Sequence, residues 1–274
     1  MKDSQTLVNV YRGDTIESIH RGHMAIVDGE GNSIASLGNP DFVTFFRSAA
    51  KPFQAIPFIQ SGAAERFGFS EDQIALACSS HSGQVIHTET AAKMLSAAGF
   101  SESDLRCGAQ IPFHTETADD LIRTNTQPTA LHNNCSGKHA AMLAFAKHIG
   151  APTENYEAIE NPIQQKILQT VAEFSSIPSA EIPLAIDGCA AANFALPLSA
   201  MALSFARLIN PPKSFGNEIG EICGRIVNAY IDFPELIGGS ERLDTLIMRD
   251  ANGAAISKVG AEGLWLCGVK PTKK

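Results

Sequence analysis

The sequence predicts an α+β fold in which strands from both chain ends form a sheet and a helical region is inserted between them. Apolar and polar residues alternate over residues 1–47, and a strand-like pattern returns in residues 250–274. Residues 48–249 carry apolar side chains at helical spacing instead. Because no low-complexity linker interrupts the chain, we expect one domain over residues 1–274.

The strands of the N-terminal region are predicted from alternation and from turn residues. Asp28-Gly29 and Gly31-Asn32 favour a tight turn between two of them. The expected strands are residues 7–11, 23–27, 33–37 and 42–46. The spacing then becomes helical at Ser48, which is placed to cap the first helix.

Capping residues and helix-ending glycines mark further helices. Asn161-Pro162 opens one of them, because proline suits the first helical position. The expected helices are residues 71–77, 84–98, 136–149, 161–174, 197–208 and 215–230. The expected final strands are residues 254–259 and 264–267.

Composition and charge argue against several classes of protein. The chain has 274 residues, with 21 Lys and Arg against 29 Asp and Glu and a formal net charge of −8. No cationic run suits a nucleic-acid partner, and no apolar run reaches the ~18 residues of a membrane span. Six cysteines occur without a Cys-x-x-Cys pair, and no secretory signal precedes them. We expect a cytoplasmic protein with no membrane or nucleic-acid partner.

The first candidate for chemistry is the Ser48-Ala49-Ala50-Lys51 segment, in which serine and lysine lie one turn apart. Burial lowers the pKa of a lysine until it can deprotonate a neighbouring hydroxyl, as Ser–Lys nucleophilic catalysis requires. A capping serine followed by an exposed lysine fits the same four residues, and this motif alone favours that alternative.

Two other segments add to this pattern. Residues 78–83, which include Ser80, present hydroxyls where an apolar helix ends; they fit a site or a capping turn equally well. Lys258-Val259-Gly260 places a Lys-x-Gly motif on a predicted strand near the C-terminus. The order Ser-x-x-Lys and then Lys-x-Gly is that of the serine β-lactamase motifs.

A candidate metal site lies at the start of the helix 136–149. Cys135, Lys138 and His139 project to one side of this helix, and its N-terminus favours a thiolate. Cys189 lies at another predicted break, and two thiolates with one nitrogen suit tetrahedral zinc. Spacing alone favours the alternative of two unrelated buried thiols.

Together these segments resemble the Rhizobium-type L-asparaginases, the asparaginase II family, over essentially the whole chain. The similarity lies in residues 12–20, 47–54, 80–83, 132–139, 187–189 and 258–263. It implies a fold like that of β-lactamases and penicillin-binding proteins, a homodimer, and hydrolysis of L-asparagine to L-aspartate and ammonia.

The resemblance also implies roles for single residues. Ser48 and Lys51 match the first Ser–Lys tandem of the family, as nucleophile and base, and Ser80 and Lys258 match the second. The matches to the zinc ligands are Cys135, Lys138 as a neutral amine, and Cys189, with water as the fourth ligand.

Three residues are expected around the substrate. The resemblance places His139 and Asp187 beside the zinc site. Arg47 suits the substrate α-carboxylate through its planar guanidinium, and a structural ion pair is an equal alternative.

Two other functions remain open from the sequence. A penicillin-interacting acyl-serine protein has the same order of motifs but acts outside the cytoplasm, and a non-catalytic relative would bind only zinc or another ligand. Family members also continue for several tens of residues beyond residues 258–263. We therefore expect a truncated C-terminus that leaves a sheet edge or an apolar face bare, with lowered stability or association.

Overall fold

The computed structural model describes residues 3–271, so residues 1, 2 and 272–274 of the expected domain lie outside the described part of the chain. The strands are β1 (Gln5–Arg12), β2 (Thr15–Gly22), β3 (Met24–Val27), β4 (Ser33–Leu37), β5 (Val43–Phe45), β6 (Leu184–Ile186), β7 (Ala192–Pro197), β8 (Ala255–Val259) and β9 (Trp265–Val269). The helices are α1 (Lys51–Gln60), α2 (Ala63–Arg66), α3 (Glu71–Ala77), α4 (Val85–Ala97), α5 (Thr115–Arg123), α6 (Ser136–Ile149), α7 (Pro162–Ser175), α8 (Leu198–Ile209), α9 (Gly216–Asp232), α10 (Pro234–Ile237) and α11 (Leu243–Asp250). A 3₁₀ helix, Arg47–Ala50, joins β5 to α1.

Within residues 3–271 the strands form four antiparallel sheets instead of the expected single sheet from both chain ends. β1 pairs with β2, β3 with β4, and β8 with β9, while β5, β7 and β6 form a three-stranded sheet in that order. Helix α8 contacts both β3 and β9, so the two ends of the chain meet through a helix. Alternation identifies a strand and its faces, but not the strand with which it pairs.

The region 48–249, expected to be helical throughout, contains β6 and β7. The first five residues of β7 are buried, and a short apolar run of this kind cannot be distinguished from a buried helix by periodicity. Among the described residues, the sequence analysis also did not predict β2, α5 and α11. β7 matters for the site, because Phe46 N donates to Phe194 O at 2.8 Å just before the 3₁₀ helix.

Most predicted helices are confirmed. α3 and α6 have the predicted bounds, and α4, α7, α8 and α9 agree within two residues. The expected cap at Ser48 was wrong. Ser48 lies inside the 3₁₀ helix, and α1 begins at Lys51 without a side-chain cap, so the Ser48 hydroxyl is available for another contact.

An aromatic core supports the start of α1. The Phe53 ring lies 5.5 Å from Phe46, 5.3 Å from Phe174 and 5.7 Å from Phe205, measured between ring centroids. All four side chains are buried. Close-packed rings of this kind hold a helix in one position, so the residues just before α1 have a rigid support.

Helices α3 and α6 approach each other closely at Gly137. A Cβ atom at this position would lie 2.4 Å from Leu76 O, which is closer than any real contact. Glycine therefore lets the start of α6 lie against the end of α3. The same approach brings residues 78–83 beside residues 133–139, where His81 N donates to Asn134 O at 3.3 Å.

The β1–β2 hairpin carries much of the exposed apolar surface. Its exposed large apolar side chains, on both strands, are Leu7, Val8, Val10, Tyr11, Ile16 and Ile19. A two-stranded hairpin alone is marginally stable in water, so this surface suits contact with a further protein element. Among the described residues, no helix combines the length and the hydropathy that crossing a bilayer requires.

Candidate active site

The turn into the 3₁₀ helix begins at Arg47, whose φ of 49° lies in the left-handed region. Its backbone N–H donates to Asn193 Oδ1 at 3.0 Å, so a side chain of β7 anchors the turn. Ser48 follows, half-buried, and Lys51 begins α1 with only 1% of its surface exposed. Non-glycine residues in this conformation are concentrated at functional sites, which is consistent with a site here.

The hydroxyl groups of Ser48 and Ser80 are in contact. Ser80 Oγ donates to Ser48 Oγ at 3.1 Å. Ser80 lies in the loop after α3, where its backbone N–H donates to Ile237 O at 2.9 Å. Because Ser80 is the donor in this hydrogen bond, the hydroxyl proton of Ser48 is not used in it and is available to a base.

Two buried lysines lie near these serines. Lys51 Nζ donates to Asn134 O at 3.3 Å. Lys258 lies on β8, which contacts the 3₁₀ helix that carries Ser48. Its Nζ donates to Asp244 Oδ2 at 3.4 Å and to Val259 O at 3.1 Å. We call Ser48, Lys51, Ser80 and Lys258 the serine–lysine cluster; within residues 3–271, neither lysine hydrogen-bonds to either serine.

The surroundings of Lys258 lower its pKa towards neutral pH. Burial lowers the pKa of Lys258 to about 8, the charge of Lys51 acts in the same direction, and Asp244 opposes both. A lysine with this pKa exchanges its proton under ordinary assay conditions, unlike a solvent-exposed lysine.

Two histidines behind Ser80 are structural. Gly83 N donates to His81 Nδ1 at 3.2 Å, so His81 Nε2 carries the proton and donates to Ser136 Oγ at 2.9 Å. The His81 and His87 rings are stacked 4.7 Å apart. Burial lowers the pKa of His87 to about 4, so this ring is neutral and makes only fixed hydrogen bonds.

Cys135, Lys138 and Cys189 form a second buried group, the thiol–amine cluster. Cys135 lies at the N-cap position of α6 and Cys189 in the turn after β6. Lys138 Nζ donates to Cys189 Sγ at 3.0 Å. The structure thus brings together the three residues that the sequence grouped as zinc ligands.

The surroundings of Cys189 favour its thiolate form. A hydrogen bond from Cys135 lowers the pKa of Cys189, burial opposes this, and the Lys138 ammonium lowers it further. The same hydrogen bond and burial raise the pKa of Cys135. Burial alone would lower the pKa of Lys138, but Cys189, Cys135 and Asp187 raise it above its usual value. These directions favour a thiolate at Cys189 beside an ammonium at Lys138.

His139 lies beside this cluster with one nitrogen held in place. Tyr156 Oη accepts from Arg106 N at 2.9 Å, and its hydroxyl hydrogen is oriented to donate to His139 Nδ1 at 2.7 Å. His139 Nε2 therefore carries the ring proton. This buried atom lies near Cys189 but makes no hydrogen bond of ordinary geometry, which leaves a donor for a ligand.

Arg47 and Asp187 form an ion pair with 3.0 Å between a guanidinium nitrogen and Asp187 Oδ1. Both side chains are partly exposed. Arg47 Nε has no hydrogen-bond partner, although it is buried. The structural pair expected as one alternative is present, and it leaves part of the guanidinium for a substrate carboxylate.

The family model for L-asparaginase II matches residues 8–274, which is essentially the whole chain. The chain belongs to the asparaginase II family. The resemblance predicted from the motifs is thereby confirmed, and membership supports an amidohydrolase of the asparaginase type. No curated protein matches the chain.

In this asparaginase II family member, the described part of the chain contains no group of three or more His, Cys, Asp or Glu side chains arranged to hold a metal ion. The thiol–amine cluster supplies two sulfurs, and its third expected ligand is a lysine. None of the six cysteines, all within the described residues, forms a disulfide bond.

Sequence reasoning missed three residues that hold the site. Asn193 fixes the turn at Arg47, Tyr156 orients His139, and Asp244 contacts Lys258. Asn193 and Tyr156 lie far along the chain from their partners, and no motif marks them. Asp244 lies on α11, a helix that the sequence analysis did not predict.

Proposed function

We propose that the protein is an L-asparaginase that hydrolyses L-asparagine to L-aspartate and ammonia through an acyl-serine intermediate. Family membership supports amide hydrolysis of the asparaginase type. The observation that carries the mechanism is the contact between the Ser48 and Ser80 hydroxyls, beside two buried lysines. Neither histidine behind the serines has a nitrogen available as a base.

In the first step, Ser48 Oγ attacks the side-chain amide carbon of the substrate while Lys51 takes the Ser48 proton. A tetrahedral intermediate forms, and its carbon–nitrogen bond then breaks. The nitrogen takes a proton from the second tandem of Ser80 and Lys258 and leaves as ammonia. Splitting the reaction in this way replaces one difficult step by two easier ones.

In the second step, water attacks the acyl group. Neutral Lys258 takes the proton of the water, and protonated Lys51 returns a proton to Ser48 as the ester bond breaks. Both lysines thus regain their starting protonation states, and the atoms balance as amide plus water to acid plus ammonia. A cycle of this kind needs groups that exchange protons near neutral pH, a condition that Lys258 meets.

The polar groups around the serines suit a small zwitterionic substrate. Arg47 offers its unpartnered Nε to the α-carboxylate, and Asp187 offers a carboxylate to the α-amino group. The Nε2–H of His139 would supply a further donor. The substrate thus replaces part of the Arg47–Asp187 pair.

The thiol–amine cluster fits a zinc ion through Cys189, Cys135 and Lys138. Thiolate sulfur and neutral nitrogen are donors that zinc prefers, and all three residues are buried together. Binding of zinc would therefore release the protons of Lys138 and Cys135. The unpartnered His139 Nε2 beside them is a polar atom without another function in the fold. Bound zinc would orient the substrate, because Ser48 already supplies the nucleophile.

We also place the enzyme in the cytoplasm as a homodimer. Six free cysteines suit a reducing compartment. The apolar side chains of the β1–β2 hairpin suit burial against a second copy. Sedimentation at several protein concentrations tests the dimer, and a monomer throughout would contradict it.

The experiment that tests the function is ammonia release from L-asparagine, with L-glutamine in parallel. Protein of verified mass is compared with the Ser48→Ala variant purified in the same way, which controls for contaminating activity. We expect release from L-asparagine that the variant lacks. No release from the unmodified protein would overturn the proposal, and labelling by a fluorescent penicillin would then support an acyl-serine protein of another class.

A further inference from the structure

Helix α11 brings a buried carboxylate to Lys258. Asp244 is 0% exposed. Its Oδ2 accepts from Lys258 Nζ at 3.4 Å and from Val259 N at 3.0 Å, and its Oδ1 accepts from Ser257 Oγ at 2.8 Å. A carboxyl group that accepts three hydrogen bonds and donates none has the pattern of the ionised form.

The carboxylate is fixed from its other side as well. Trp265 Nε1 donates to Ser257 Oγ at 2.8 Å, and Ser257 Oγ in turn donates to Asp244 Oδ1. The hydrogen-bond chain therefore runs from β9 through β8 and α11 back to Lys258. Such a chain fixes the carboxylate oxygens, and through them the amine, in one position.

The two lysines of the serine–lysine cluster differ in their partners. Lys51 Nζ donates to a backbone carbonyl, whereas Lys258 Nζ has a carboxylate partner. A carboxylate beside an amine stabilises the ammonium form of that amine. Of the two lysines, Lys258 is the one that a carboxylate favours in its protonated form.

The other titratable groups around Lys258 do not supply a competing negative charge. The groups that act on Lys258 or on Asp244 from the surrounding elements are Arg242 just before α11, Lys51 on α1, Cys78 after α3, Tyr230 on α9 and Cys267 on β9. Burial raises the pKa of Cys78 to about 12 and raises those of Tyr230 and Cys267, so all three are neutral at pH 7. Among the groups named, Asp244 alone is an anion.

We propose that Asp244 is a positioning residue that holds Lys258 as an ammonium, so that Lys258 donates the proton to the leaving nitrogen while Lys51 deprotonates Ser48. The proposal rests on the proposed function and assigns opposite tasks to the two lysines. As the carbon–nitrogen bond breaks, its electron pair stays on nitrogen, which takes the Lys258 proton. Neutral Lys258 regains a proton from the attacking water in the second step.

The test is Asp244→Asn, which keeps the shape and removes the charge. We expect kcat for L-asparagine to fall about 10- to 100-fold, as for loss of a general acid, with little change in KM. The high-pH limb of the kcat profile should move down by about one unit, because the neutral amide no longer stabilises the ammonium. Asp244→Glu keeps a displaced carboxylate and should recover part of kcat. Asp250→Asn makes the same chemical change at an exposed position of α11 and is the matched control, with a nearly unchanged profile.

A titration of ε-¹³C-labelled lysines by NMR measures the same effect without turnover. In the resting protein, the signal that titrates near pH 8 should titrate at lower pH in Asp244→Asn. A folded Asp244→Asn with unchanged titration and pH profile would overturn the proposal. If this variant does not fold, Asp244→Ser, which also removes the charge, carries the test, and values equal to those of the unmodified protein would overturn the proposal.

The NMR arm separates this proposal from the proposed function. If the unmodified protein releases no ammonia, the function fails, yet the lysine titration still shows whether Asp244 holds the charge. If ammonia is released and the titration does not respond to Asp244→Asn, the function stands and the positioning role is wrong.

Discussion

Lys258 and Lys138 are both buried, with 0% and 3% of their surface exposed, yet their surroundings affect them in opposite ways. Burial lowers the pKa of Lys258 to about 8, opposed by Asp244 and helped by the positive charges of Lys51 and Arg242. Near Lys138, burial acts in the same direction, but the sulfurs of Cys189 and Cys135 outweigh it and the pKa rises. Since burial lowers the pKa of both lysines, the difference between them comes from the charged groups around each one.

The two clusters are built for different tasks and are joined by one residue. Asn134 O accepts from Lys51 Nζ at 3.3 Å, and the next residue in the chain is Cys135 of the thiol–amine cluster. The serine–lysine cluster can exchange protons, whereas the thiol–amine cluster holds opposite charges together. A substrate between them would be oriented by one cluster and cleaved by the other. The four predictions that follow test this division.

The largest effect is expected for Ser48→Ala. Loss of the nucleophile should lower kcat by at least about 10³-fold, while the free energy of unfolding changes little. Steady-state kinetics and urea unfolding measure the two quantities. Ser79→Ala is the control, because its buried hydroxyl has no hydrogen-bond partner within the part of the chain that the structure describes. A Ser48→Ala variant with near-normal kcat would show that Ser48 is not the nucleophile.

Cys189→Ala should be the most destabilising change in the thiol–amine cluster. It leaves the Lys138 ammonium buried without its thiolate, and breaking a buried charge pair costs about 3–5 kcal/mol. This cost applies to the metal-free protein; in protein that carries the proposed zinc, elemental analysis should show its loss from the variant. Cys223→Ala is the control, since it removes a buried thiol with a raised pKa that belongs to neither cluster. Equal losses of stability in the two variants would contradict the charge pair.

The parts of these clusters that could be predicted are the ones that local spacing determines. Ser48 and Lys51 lie one turn apart, as do Cys135 and Lys138, so each pair shares a face in any helix. The contact of Ser80 with Ser48 depends on packing, and only the order of the motifs and the family resemblance indicated it. Periodicity carries no information on which distant segments meet.

Asp244 was missed because α11 reverses the usual pattern of a surface helix. Its Leu243 and Leu246 are exposed, whereas Asp244 and Thr245 are buried. A polar residue that faces the interior is explained only by its partner, here Lys258 from another element. The single sheet expected from both chain ends fails for a similar reason, because strand partners depend on the helices packed between them.

The third prediction tests the close contact between α3 and α6, and its expected effect is smaller. Gly137→Ala places a methyl group against Leu76 O, and overpacking of this kind costs about 1–3 kcal/mol. Gly224→Ala is the control, because a Cβ at this position on α9 meets nothing within 4 Å. It should stabilise the helix by up to about 1 kcal/mol. Urea unfolding measures the stability of both variants. If Gly137→Ala does not change the free energy of unfolding, α3 and α6 can move apart without loss of stability.

The smallest effect is expected for Tyr156→Phe, which tests whether His139 must be held in one orientation. The change keeps the ring but leaves Arg106 N and His139 Nδ1 without their partner, so stability should fall by about 1–2 kcal/mol. If His139 Nε2 binds substrate, KM for L-asparagine should rise while kcat changes less. Tyr230→Phe also removes a buried hydroxyl bond, to Cys78 O, and should lower stability without raising KM. A Tyr156→Phe variant with unchanged KM would mean that the substrate is held by Arg47 and Asp187 without His139.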